Sequence, residues 1–254
     1  MKNLPLGIQT FKNIIKDNYL YIDKTKDIYE FFNTNGKYFF LSRPRRFGKS
    51  LLISTLEQIF FGNQELFNGL WIYDKIEWNT YPVIKIDFSG LSYETPDKLK
   101  NSLSDKIIQV SKKYNIELND KNDYKQLFQE LLEKLSEKEK VVILIDEYDK
   151  PIIDFIEKPD IAIENRNILK NFYETLKSSE QYLKFVFLTG VSKFSRVSVF
   201  SGLNNLTDIT LSEKFSTISG YTEEQLHHYF KDRIKLFAQK LNKTEKETKA
   251  IIKN

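Results

Sequence analysis

The segment Ser42-Arg-Pro-Arg-Arg-Phe-Gly-Lys-Ser50 holds the residue types that bind a polyphosphate. Backbone N–H groups at a helix start and the helix dipole attract an anion. A lysine adds charge, and a hydroxyl can ligate a divalent cation. Gly48-Lys49-Ser50 fits the end of the phosphate-loop pattern G-x-x-x-x-G-K-[ST], while Arg43 stands where the first glycine would be. Pro44 is expected to supply the rigidity that glycine does not. In this reading Lys49 reaches the β- and γ-phosphates and the Ser50 hydroxyl ligates Mg²⁺. Arg43, Pro44, Arg45, Arg46, Phe47, Gly48 and Leu51 complete the cradle. The chain has six arginines against 33 lysines, and three of the six fall within Arg43–Arg46. A planar guanidinium suits phosphate better than general surface charge requires.

About 100 residues downstream, the apolar run Val141–Ile145 ends in Asp146-Glu147. At the C-terminal end of a parallel strand such carboxylates face the ligand crevice. Asp146 is expected to hold Mg²⁺ through water, a cation that needs only one or two protein carboxylates. Glu147 is expected to orient or deprotonate the attacking water, which fits water activation better than a GTPase arrangement does. Thr189, closing the run Phe185–Leu188, is placed to sense the γ-phosphate through that water. Lys193 and Arg196 follow; they read equally as surface cations or as phosphate contacts, in cis or in a neighbouring subunit.

These residues need a scaffold of buried strands and flanking helices. Tyr38–Leu41, Pro82–Phe88, Val141–Ile145 and Phe185–Leu188 are short apolar runs, and Val141–Ile145 has no polar alternation, as in a parallel sheet covered on both faces. Leu206–Leu211 is a weaker strand. Helical periodicity marks Ser50–Phe61, about 96–114 behind Thr95-Pro96, about 122–137 and about 160–179. The capping box Thr222-Glu-Glu-Gln225 opens a helix running to about Gln239. Lys26–Phe32 is amphipathic, and the last sixteen residues, rich in lysine, are expected to fray. Strands alternating with helices predict an α/β fold with a mainly parallel sheet.

Composition narrows the chemistry further. The chain has 254 residues, 41% of them hydrophobic, enough for a sizeable core. It contains no cysteine and two adjacent histidines, His227 and His228. Disulfide frameworks, thiolate metal sites and cysteine nucleophiles are therefore excluded, and a histidine-dependent triad is disfavoured. A net charge of +4 compels neither nucleic-acid nor membrane binding. No apolar run reaches a membrane span, and the N-terminus lacks the features of a signal peptide, so an intracellular, cytoplasmic protein is expected.

Taken together, Tyr21-Ile-Asp-Lys-Thr25, Arg43–Ser50, Pro82–Gly90, Leu144-Ile-Asp-Glu-Tyr-Asp-Lys-Pro151, Leu188–Ser195 and Ser198–Asp208 resemble the AAA-ATPase-like proteins of bacteria and some archaea. In that group an ATPase module usually precedes a nuclease-like domain of the PD-(D/E)XK type. The resemblance makes the missing first glycine a family trait. It implies a P-loop NTPase three-layer sandwich with five parallel strands in the order 5-1-4-3-2, binding ATP with Mg²⁺. It also implies that the Tyr21–Thr25 segment, with Asp23 and Lys24, lies near the nucleotide base. The expected organisation is an N-terminal segment over 1–36, an ATPase core over 37–212 and the start of a helical segment over 213–254. No D…(D/E)-x-K constellation follows, so no nuclease activity is expected of these residues. The expected partners are ATP and ADP, with a nuclease-like domain or partner protein and a homo-oligomer both compatible. Two other functions fit the sequence: a nucleotide-binding scaffold that does not hydrolyse, and a nucleic-acid-binding module using its lysine-rich helices.

Overall fold

The computed structural model describes residues 1–119, 123–192, 199–200, 203 and 205–253. Helices α1 (Phe11–Lys16) and α2 (Thr25–Tyr29) precede β1 (Tyr38–Ser42), which leads through the arginine-rich loop into α3 (Lys49–Phe60). Then come β2 (Val83–Asp87), α4 (Pro96–Lys113), α5 (Tyr124–Leu135), β3 (Val141–Asp146), the one-turn α6 (Lys150–Ile153) and α7 (Pro159–Ser178). The chain continues with β4 (Leu183–Gly190), β5 (Thr207–Asp208), α8 (Glu223–Tyr229), α9 (Lys231–Lys240) and α10 (Glu245–Lys253).

Among the described residues these strands form one five-stranded, all-parallel sheet in the order β5-β1-β4-β3-β2, the order implied by the resemblance. Side chains alternate across a strand, so each strand feeds two cores. Tyr38, Phe40, Ile84, Ile143, Val186 and Leu188 pack with α4, α5 and α7 on one face. Phe39, Leu41, Val83, Val142, Leu144 and Phe187 pack with α1 and α3 on the other. This double burial explains the unbroken apolar runs of β1 and β3. Register brings Asp87 beside Asp146 and Leu41 beside Thr189, so the polar ends of the central strands share one edge.

Caps set the helix boundaries. The Thr95 hydroxyl accepts from Lys98 N with Pro96 in the first turn, and the Asp123 carboxylate accepts from Lys125 N. The capping box at Thr222 and Gln225 forms as the sequence indicates. Replacing Thr222 with Ala is expected to cost about 1 kcal/mol, lowering the melting temperature by a few degrees in a circular-dichroism melt.

Two expectations need correction. The helix expected from Thr222 to about Gln239 breaks at Phe230 (φ −110°, ψ 10°) into α8 and α9. The tail expected to fray instead contains α10. Its start is closed by reciprocal bonds, Glu247 N to Thr244 Oγ1 and Thr244 N to Glu247 Oε2, and its Thr248 is fully buried. The amphipathic stretch Lys26–Phe32 overlaps the short helix Thr25–Tyr29.

Candidate functional site

The loop between β1 and α3 is anchored from both sides. Ser42 N donates to Thr210 Oγ1 at 3.0 Å, and Ser42 Oγ donates to Val191 O at 3.0 Å. Arg43 N donates to Gly190 O, while the Arg43 guanidinium donates to the carbonyls of Ser42 and Thr210. Partial burial lowers the Arg43 pKa, and Asp208 nearby opposes that shift. Arg43 thus ties the loop to the chain after β5. Within the loop the left-handed residues are Arg46 (φ 66°) and Gly48 (φ 82°), not Arg43. A glycine at 43 is therefore not required by the backbone, which is the physical reason an arginine can stand there.

Lys49 opens α3 behind the left-handed Gly48. It is 6% exposed, and its ammonium donates to Arg43 O and Pro44 O, each at 3.0 Å. Burial lowers its pKa, whereas Asp146, Glu147 and Asp149 pull it back up and Arg45 pushes it further down. The phosphate-loop lysine and the carboxylates at and just after the end of β3 therefore share one field. Asp146 is 2% exposed, and its Oδ1 accepts from Thr189 Oγ1 at 2.6 Å and Glu147 N at 3.1 Å. Glu147 sits at φ 50°, a backbone region unfavourable for a side chain of its kind.

A cavity of about 940 Å³ opens over this edge. Its lining includes Arg45–Leu51 and Glu147. Apolar residues line it too, including Leu6, Ile8, Tyr21 and Ile22 from the N-terminal segment with Ile218 and Phe230 from beyond β5. Gly220 N donates to Phe47 O at 3.1 Å, which ties the loop to the segment beyond β5. Lys24 lines the cavity; it is buried, with Nζ donating to Gln225 Oε1 at 2.6 Å and its pKa lowered by that burial. Asp23 instead uses its carboxylate on the backbone, accepting from Thr25 N and Trp71 N at 2.8 Å each.

The structure thus brings Arg45–Leu51, Glu147 and Lys24 to one cavity, bonds Thr189 to Asp146 within the field of Lys49, and gives Arg43 and Asp23 internal bonds. Lys193 and Arg196 lie outside the described residues. The cavity linings at Leu4–Gln9 and Ile218–Tyr221 carry no charged signature that marks them in the sequence. Asp149 and Gly190 are likewise unmarked as site residues, although Asp149 stands in the same acidic string as Asp146 and Glu147.

Residues 5–200 match a family model described as a predicted AAA-ATPase. The chain belongs to this AAA-ATPase-like family. A relative in Azotobacter chroococcum mcd 1, named only as an uncharacterized protein in the vnfD 5' region, is 41% identical over 233 residues. That alignment covers 90% of this chain and 45% of the relative, so the chain spans about half the relative's length. No solved structure matches the chain at a significant level. The family match contains β1–β4 and the loop, Asp146, Glu147 and Thr189, while the cavity wall at Ile218–Tyr221 lies beyond it. Among the described residues of this AAA-ATPase-like chain, no helix is long and apolar enough to cross a membrane.

Proposed function

We propose that the chain is a P-loop ATPase module that binds ATP with Mg²⁺, hydrolyses it, and uses the change of state to rearrange an attached domain or partner. One observation carries this reading: a buried lysine at the start of α3 lines a large cavity and shares its field with Asp146 and Glu147 at the C-terminal end of β3, two strands away from β1. The parallel sheet and the strand–loop–helix order support it, because phosphate-binding loops need that setting. Lys49 and the loop amides take the β- and γ-phosphates, with Arg45 and Arg46 adding charge at the rim. The apolar side chains in the cavity lining take the nucleoside.

The donor set suits Mg²⁺. Among the described residues, no cluster of three or more His, Cys, Asp and Glu could hold a metal ion unaided. Mg²⁺ asks for less, one or two carboxylates with phosphate and water supplying the rest. Asp146 uses Oδ1 for both its internal bonds, which leaves Oδ2 for the cation's hydration shell, and Ser50 offers its hydroxyl from the cavity wall. When bound, the ion neutralises phosphate charge. Glu147 accepts the proton of the attacking water and Thr189 orients that water.

Thermal melts with Mg²⁺ and ATP, ADP, GTP or no nucleotide, on wild type and Lys49→Ala, test the reading. Ligand at 100 times Kd adds about 2.7 kcal/mol to the folded state, on the order of 5–10 °C for a chain of this size. ATP should produce that shift in wild type and lose it in Lys49→Ala. Identical melts with and without nucleotide would remove the nucleotide from the proposal.

A further inference from the structure

The chain leaving β4 is gripped by two side chains from the turn after β3. Asp149 is 1% exposed, and its Oδ2 accepts from Val191 N at 3.0 Å and Ser192 N at 2.6 Å. Tyr148, fully buried, donates from its backbone N to Thr189 O at 3.0 Å and from its hydroxyl to Ser192 O at 3.1 Å. Gly190 lies between them so tightly that a Cβ there would stand 2.5 Å from the Tyr148 ring and 2.6 Å from Asp149 Oδ1. Residues 189–192 are thus both bonded to and packed against the same two residues, Tyr148 and Asp149.

Thr189 sits at the head of this gripped stretch, with its hydroxyl on Asp146 at 2.6 Å. Asp149 also belongs to the group of carboxylates whose field reaches Lys49. Burying a carboxylate is costly, and this one is raised in pKa by that burial while the Ser192 and Val191 amides oppose the shift. The cost is compensated by two charge-assisted bonds to a single oxygen, an arrangement that fixes position more strictly than a neutral contact.

We propose that Asp149 is a positioning residue for hydrolysis: it holds the Val191 and Ser192 backbone so that Thr189 stays on Asp146, beside the water that attacks the γ-phosphate. This inference rests on the ATPase reading above.

The test measures ATP affinity and single-turnover hydrolysis for wild type, Asp149→Ala, Asp149→Asn, Thr189→Ala and the double variant Asp149→Ala/Thr189→Ala. Asp149→Ala should keep Kd within about threefold of wild type, an effect confined to the chemical step. Its turnover should fall on the order of 10²-fold, the scale of a misplacement of about 1 Å. The amide oxygen of Asn can accept both N–H groups, so Asp149→Asn should recover most of that loss. The double variant should be no slower than the slower single one, because groups acting as one unit are not additive. Should Asp149→Ala fail to fold, Asp149→Ser, too short to reach both amides, is expected to show the same slow turnover. Wild-type turnover in Asp149→Ala, losses that multiply in the double variant, or variants that lose only stability would each overturn the assignment. Wild type that fails to bind ATP sinks the ATPase reading itself, whereas ATP hydrolysed equally by wild type and Asp149→Ala sinks this inference alone.

Discussion

Glu147→Gln should bind ATP as wild type does and hydrolyse it on the order of 10²–10⁴ times more slowly, the contribution a positioned general base makes. The residue follows β3 at φ 50°, a conformation that costs energy in a glutamate and clusters at functional sites. Its N–H donates to Asp146 Oδ1, so the strained turn is bonded to the neighbouring carboxylate. Burial raises the Glu147 pKa; Lys150 opposes this, Asp146 and Asp87 push it higher, and Lys49 pulls it down. A raised pKa makes the carboxylate a stronger proton acceptor once ionised. It also extends the acidic range over which the group is protonated and idle. Turnover should therefore climb as pH rises through that raised pKa, and the residual rate of Glu147→Gln should lack this limb. Single-turnover rates across pH, beside nucleotide Kd, read both effects. Equal turnover in the two proteins would leave Glu147 as a strand-end charge and favour a scaffold that binds nucleotide without consuming it.

The sheet was legible because its signal is local. Runs such as Val141–Ile145 have nothing polar on either face, and only a strand covered by helices on both sides accommodates that. The Asp146-Glu147 pair was legible for the same reason, since charge ending a buried run marks the sheet edge. What stayed hidden depends on residues far apart in sequence. Lys24 meets Gln225 across 201 positions, and neither partner's neighbourhood announces the other. Gly190 reads as an ordinary strand terminator until the Tyr148 ring is placed against it. The break at Phe230 goes unmarked because no proline or glycine stands there, and the helical period is apolar enough on both sides to be read through. The cap of α10 was a missed local signal: Thr244-Glu-Lys-Glu247 has capping-box spacing, but the surrounding lysines suggested a frayed tail.

Gly190→Ala should be among the most destabilising single-methyl additions in the chain. The added carbon would lie 2.5 Å from Tyr148 and 2.6 Å from Asp149, separations that require one of them to move. Neither has room: Tyr148 is fully buried against Phe40 and Phe200, and Asp149 is held by two backbone amides. Overpacking of this kind costs about 1–3 kcal/mol, which lowers the melting temperature by about 2–4 °C per kcal/mol in a chain of this size. Gly90→Ala is the matched control, because a Cβ there meets nothing within 4 Å, and its effect should stay within about 0.5 kcal/mol. The displacement at 190 acts on the stretch that holds Thr189 on Asp146, so turnover per folded molecule should fall along with stability. A Gly190→Ala protein that melts with wild type would show slack at the end of β4, and a strand end with slack cannot hold Thr189 in the way that water activation demands.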